Sequence, residues 1–200
     1  MQDWVNNVAG ALLIQGHFDE TSPFSPLSFL NASFVKYFRH CQSFISLAFL
    51  CGGHSINKNG PLVMIRSLMA QLLQQYPVCS SSTLNSIRRS AALGQNFREM
   101  CRHFVCFAKE VPAGIPIYCL IDGIHFYENE PGVLDFLTEL DESKATTKIL
   151  LTSHTTTRYV CSRFEELGER VLTVEDPQQE EMKPARIGRE EPESQNTSGD

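Results

Sequence analysis

Six residues of this chain combine a reactive type with a telling place: Gly16, Asp122, His125, Glu128, Thr152 and Ser153. Asp122 closes the apolar run "IPIYCLID", and a carboxylate there is costly to bury unless its charge is used, commonly by a hydrated Mg²⁺. The alternative is structural, with Asp122 capping the turn after its run through backbone N–H groups. Thr152 and Ser153 close another apolar run, "TKILLTS", and place hydroxyls at a comparable position. They suit a phosphate oxygen, and they equally suit local backbone. His125 and Glu128 follow Asp122 within six residues, where a proton acceptor could stand.

Residues at run ends need elements that bring those ends together. Five short apolar runs serve: "ALLIQ" (11–15) before Gly16, "FISLAFLC" (44–51), "IPIYCLID", "TKILLTS" (147–153) and "RVLTVE" (170–175). Apolar residues in succession suit strands covered on both faces. Between them "PLVMIRSLMAQLLQQY" and "QNFREMCRHFVCFAKEV" switch to helical spacing. Ser25-Pro26 reads as an N-cap followed by proline at the first helical position, leading into "LSFLNASFVKYF". Shorter helices are expected near 132–140 and 157–167. Alternating strands and helices predict an α/β fold, a three-layer sandwich with a mostly parallel five-stranded sheet, whose ligands collect at the strands' carboxyl ends.

The chain of 200 residues is 42% apolar and 20% charged, which suits one folded domain with a tail. We place the domain at 1–175 and an acidic, disordered tail at 176–200, because Met182 and Ile187 are too little apolar surface to offset ordering. From Glu175 to Asp200 there are eight acids and three bases, so most of the net charge of -6 sits there. No dense basic patch recommends nucleic acid or a lipid surface as partner. No apolar run approaches the ~20 residues of a membrane span. Seven irregularly spaced cysteines and a start without a basic segment point to a reducing, cytoplasmic setting. "CGGH" (51–54) and "CRHFVC" (101–106) carry metal-ligating types, but a strand end and a helix without a C-x-x-C pair argue against four-ligand zinc.

"IYCLIDGIHF", "TKILLTSHTTT" and the upstream "GPLVMIRSLMAQLLQQYP" together resemble the core of NACHT-type P-loop NTPases of the STAND class. The likeness is to the nephrocystin-like domains of fungal NOD-like receptor proteins, over about residues 11–174. It implies a P-loop NTPase-like fold in which "ALLIQG" leads into the phosphate loop, "IYCLID" is the Walker B strand and "KILLTSH" the sensor strand. Gly16, Asp122, Thr152 and Ser153 would then face Mg-ATP or Mg-GTP, with Asp122 the Mg²⁺ residue.

The departures from that pattern set the functional expectation. A phosphate loop needs G-x-x-x-x-G-K-S/T, whose backbone amides, lysine and hydroxyl hold phosphates and Mg²⁺. From Gly16 the chain reads "GHFDETSP": Thr21, Ser22 and Pro23 replace the second glycine, the lysine and the hydroxyl residue. No Lys or Arg occurs between residues 1 and 35, and Asp19 and Glu20 add negative charge. Each lost charge-assisted phosphate bond costs ~1.5–3 kcal/mol. After Asp122, Gly123 and Ile124, the family's two acids are His125 and Phe126, leaving His125 and Glu128 as weak candidates for the base. The arginine that usually follows the sensor-strand serine is His154. A non-hydrolysing domain acting on other proteins, related receptor domains included, is the expectation, without a cofactor; a weak Mg-ATP or Mg-GTP binder or slow NTPase is the alternative.

Overall fold

The computed structural model describes residues 4, 10–18, 25–40, 43–51, 60–77, 85, 96–127, 136, 147–156, 158–166, 168 and 170–174. The strands β1 (Gly10–Gly16), β2 (Ile45–Leu50), β3 (Ile117–Asp122), β4 (Thr147–His154) and β5 (Arg170–Val174) coincide with the five apolar runs. They form one sheet in the order β2-β3-β4-β1-β5, every neighbouring pair parallel. The helices are α1 (Pro26–Arg39), α2 (Pro61–Gln75), α3 (Phe97–Glu110) and α4 (Arg158–Glu166).

Local sequence explains the boundaries. Ser25 caps α1 by accepting the Ser28 N–H at 2.9 Å, and Pro26 follows at the first turn, where a missing N–H costs nothing. Asn96 caps α3 in the same way, accepting from the Glu99 N–H at 2.8 Å. Gly123 adopts φ +74°, a conformation costly for any residue with a Cβ, and turns the chain from β3 into a 3-10 turn at Ile124–Tyr127.

Alternation along the strands divides the core in two. Leu13, Leu47, Cys119, Ile121 and Leu151 pack with Met64, Ile65 and Leu68 of α2, Phe104 and Phe107 of α3, and Phe164 of α4. Leu12, Ile14, Tyr118, Leu120 and Leu150 face the other way, onto Trp4 and Leu27 of α1. The expected three-layer α/β architecture is therefore present, and its sheet is wholly parallel. Among the described residues, no helix is long and apolar enough to cross a membrane. The segment 176–200 and most of 132–140 lie outside the described residues.

Candidate functional site at the carboxyl edge of the sheet

Because β4 lies between β1 and β3, its register decides which strand ends meet. Gly16 is level with His154, and Ile121 with Leu151, which sets Asp122 beside Thr152. The N-terminus of α1 reaches the same edge. Asp122 is 7% exposed and each of its carboxylate oxygens accepts a hydroxyl: Ser28 donates to Oδ2 at 2.7 Å, and Thr152 donates to Oδ1. Thr152 Oγ1 in turn accepts the Gly123 N–H at 3.1 Å. The Ser28 proton is committed to Asp122, so in the 2.9 Å contact with Ser25 it is Ser25 that donates. Two short donor chains, Ser25 to Ser28 and Gly123 to Thr152, thus converge on one buried carboxylate, an arrangement in which each bond strengthens the next.

The turn-capping role expected of Asp122 takes an indirect form. Asp122 caps no backbone N–H directly; Thr152 stands between it and the turn. Thr152 is not a local backbone-satisfying residue either, since its partners lie 29 and 30 residues away. The Ser153 hydroxyl donates to the His154 carbonyl at 3.3 Å. Ser28 was missed altogether. Counting from Gly16 put the loop's hydroxyl at Pro23, whereas the hydroxyl that reaches Asp122 comes five residues later, from the first turn of α1. The N-cap signal at Ser25-Pro26 could have found it, because a hydroxyl three residues into a capped helix lies at that helix's loop end.

With Ser28 in the hydroxyl position, the two residues before it are Pro26 and Leu27, where the loop pattern needs glycine and lysine. Leu27 is buried, and a Cβ placed on Gly16 would stand 3.3 Å from its Cδ1. An apolar side chain therefore packs onto the end of β1 where a cation belongs. The oxygen donors of Ser28, Asp122 and Thr152 suit a hard divalent ion. In this frame, as in the other, the lysine that would anchor an accompanying triphosphate is missing from the sequence.

The remaining candidates surround this centre. His154 is buried at the end of β4. Its Nδ1 accepts the Thr156 N–H at 3.2 Å, so the neutral ring carries its proton on Nε2, which donates to the Phe18 carbonyl at 3.0 Å. The Thr156 hydroxyl also lies 2.8 Å from Nδ1. His125 Nδ1 accepts the His154 backbone N–H at 3.3 Å, which engages the lone pair a general base would use. The Phe18 ring lies 4.8 Å from that of His154 and 5.9 Å from that of His125. The Cys51 thiol adjoins Asp122; burial, and then the Asp122 charge, push it far up, so it stays protonated. Glu128 and residues 19–24, with Thr21, Ser22 and Pro23, lie outside the described residues.

With this geometry in hand, the likeness to known proteins is informative. A family model described as nephrocystin 3, N-terminal, matches residues 1–154. Among solved structures, the chain is similar to the Aeropyrum pernix ORC2 protein (ADPNP-ADP complexes), with a TM-score of 0.50 and 11% identity over 83% of this chain and 42% of that one. At that identity the likeness concerns the fold alone, a parallel sheet covered by helices. This chain spans about two fifths of the length of that protein. No curated protein matches the chain.

Proposed function

The chain belongs to the nephrocystin 3 N-terminal family, and from that premise we propose that it is a P-loop NTPase-fold domain that does not hydrolyse nucleotide and works as a protein-interaction module. One observation carries the proposal. Each oxygen of the carboxylate that would serve Mg²⁺ accepts a hydroxyl, from Ser28 or Thr152, while Leu27 packs against Gly16 at the end of β1, where the loop pattern needs lysine. A catalytic carboxylate must exchange its partners for the metal's water shell. Here it links α1, β3 and β4 as a structural joint.

The surface supports the second half of the proposal. Leu50 and Phe126 stand at the carboxyl edge, 54% and 56% exposed, and Phe29 and Tyr37 are exposed on α1. Leu50, Phe126 and Phe29 lie at or near that edge and Tyr37 at the far end of α1; exposed apolar side chains of this size suit a protein partner, with domains of related receptors the first to try. Co-elution with such a domain on gel filtration is expected, and a lone monomer in every mixture argues against the partner half. The hydrolysis half is tested by single-turnover phosphate release from Mg-ATP and Mg-GTP with the protein in excess. Release equal to buffer is expected; release that Asp122→Ala abolishes overturns it.

A second reading has one observation in its favour. A hydroxyl at the start of the first helix bonded to the aspartate of the second motif is the pair that P-loop NTPases turn towards Mg²⁺. Under this reading Mg-ATP or Mg-GTP binds weakly, through that pair and the backbone amides near Gly16. Binding that requires Mg²⁺ and disappears in Ser28→Ala would favour it.

A further inference from the structure

Among the described residues strand β2 is an edge of the sheet, and an open edge is a template for pairing with another chain. Its parity can be read directly. Ile45 N–H donates to the Pro116 carbonyl at 3.0 Å and Cys51 N–H to the Asp122 carbonyl at 2.9 Å, so the odd residues face β3. Ser46, Ala48 and Leu50 therefore direct their N–H and C=O groups outward. At the first two positions those groups are taken by side chains of α2. Gln71 Oε1 accepts the Ala48 N–H at 2.9 Å and Gln71 Nε2 donates to the Ala48 carbonyl at 2.8 Å. Gln75 does the same for Ser46, at 3.1 and 2.7 Å.

The fit is dimensional as well as chemical. Residues four apart on a helix rise about 6 Å, and residues two apart on a strand about 6.6 Å. A carboxamide presents one donor and one acceptor side by side, as a neighbouring strand would. The second amide hydrogen of Gln71 goes to Ser67 Oγ at 3.1 Å, which fixes its orientation. One turn earlier on the same helix face stands Ser67, too short to reach Leu50, and the closure ends there.

We propose that Gln71 and Gln75 act as an intramolecular substitute for a sixth strand, and that the surface they occupy is a pairing edge for a second copy of this chain. The β2 sequence "ISLAFL" has no charge and no proline, the composition most prone to self-pairing once an edge is free. An identical edge on a second copy offers the same run of donors and acceptors. The two glutamines keep the protomers apart, which leaves the exposed apolar side chains at the carboxyl edge for other partners.

Sedimentation velocity on the full chain tests this over a range of concentrations. Gln71→Met with Gln75→Met keeps bulk and helical preference while removing the amides, and self-association is expected at roughly tenfold lower concentration than in the wild type. Adding Leu50→Lys, a charge on the freed edge, is expected to reverse it. Gln75→Met alone opens only the Ser46 position at an exposed site, should fold whatever the double variant does, and is expected to associate to an intermediate degree. Met69→Ala destabilises α2 from its buried face without touching the edge, and should behave as the wild type. The proposal is overturned if the glutamine variants associate no more readily than the wild type, if Met69→Ala associates equally, or if Leu50→Lys reverses nothing.

Discussion

Replacing Asp122 with alanine separates a structural joint from a dormant metal site. The carboxylate accepts two hydroxyl bonds, from Ser28 and Thr152, and a bond to an ionised group contributes about 1.5–3 kcal/mol net. Ser28 can turn its proton to Ser25, whereas Thr152 keeps the bond from the Gly123 N–H but loses the acceptor for its own proton. Removing a buried charge also returns part of its desolvation cost. The expected loss is therefore towards the lower end for the pair, about 2–4 kcal/mol. Urea denaturation followed by circular dichroism at pH 7 reads it as a fall in midpoint of about 1–2 M at an unchanged slope. Thr152→Val combined with Asp122→Ala should then cost clearly less than the two singles summed, because they remove the same bond. A carboxylate kept for a ligand at the expense of stability behaves oppositely. If Asp122→Ala leaves the midpoint unchanged or raises it, the joint is not structural and the reasoning is refuted.

Other expectations follow from the same structure. Gly123→Ala forces a Cβ into φ +74° at 3.1 Å from the Phe126 ring; a loss of about 1.5–3 kcal/mol is expected by the same denaturation assay. Among the described residues the buried Asn31 carboxamide on α1 finds no hydrogen-bond partner at either atom, so Asn31→Leu should stabilise the fold by about 1–3 kcal/mol, read as a higher midpoint. Burial pushes the Cys51 and Cys119 thiols up. Their contribution is complete below the unfolded thiol value, about pH 8.5, and is lost above it at about 1.4 kcal/mol per thiol per pH unit. Burial lowers the Lys148 ammonium, which works the other way below about pH 10.4. Stability should therefore fall by about 1–2 kcal/mol per unit between pH 9.5 and 10.5. At pH 8 a disulfide reagent should label exposed Cys106 at once, and Cys51, Cys101 and Cys119 only as the protein unfolds.

The architecture was legible because its signals are local and repeated. Five apolar runs, a capped helix start at Ser25-Pro26, and a change of period between them leave little choice but a covered parallel sheet. Strand order was not legible: nothing in "TKILLTSH" says that it lies between "ALLIQ" and "IYCLID", yet that placement brings Thr152 to Asp122. Ser28 was hidden for a related reason. A fixed motif frame counted from Gly16 assumes the usual loop length, and the helix here begins at Pro26, further along than that frame allows. The Gln71 and Gln75 caps were beyond reach, since a glutamine on a helix shows its purpose only when the strand it serves is beside it. What the sequence did carry was the absence of any cation before Lys36, and the burial of Leu27 gives that absence a physical form.

The central claim is that the carboxyl edge of this sheet no longer holds a triphosphate. Isothermal titration calorimetry of the full chain with Mg-ATP and Mg-GTP, taken to a few millimolar, tests it directly. The account predicts no saturable heat. A dissociation constant at or below about 50 μM would stabilise the fold by about 2.7 kcal/mol at hundredfold excess, and would contradict it.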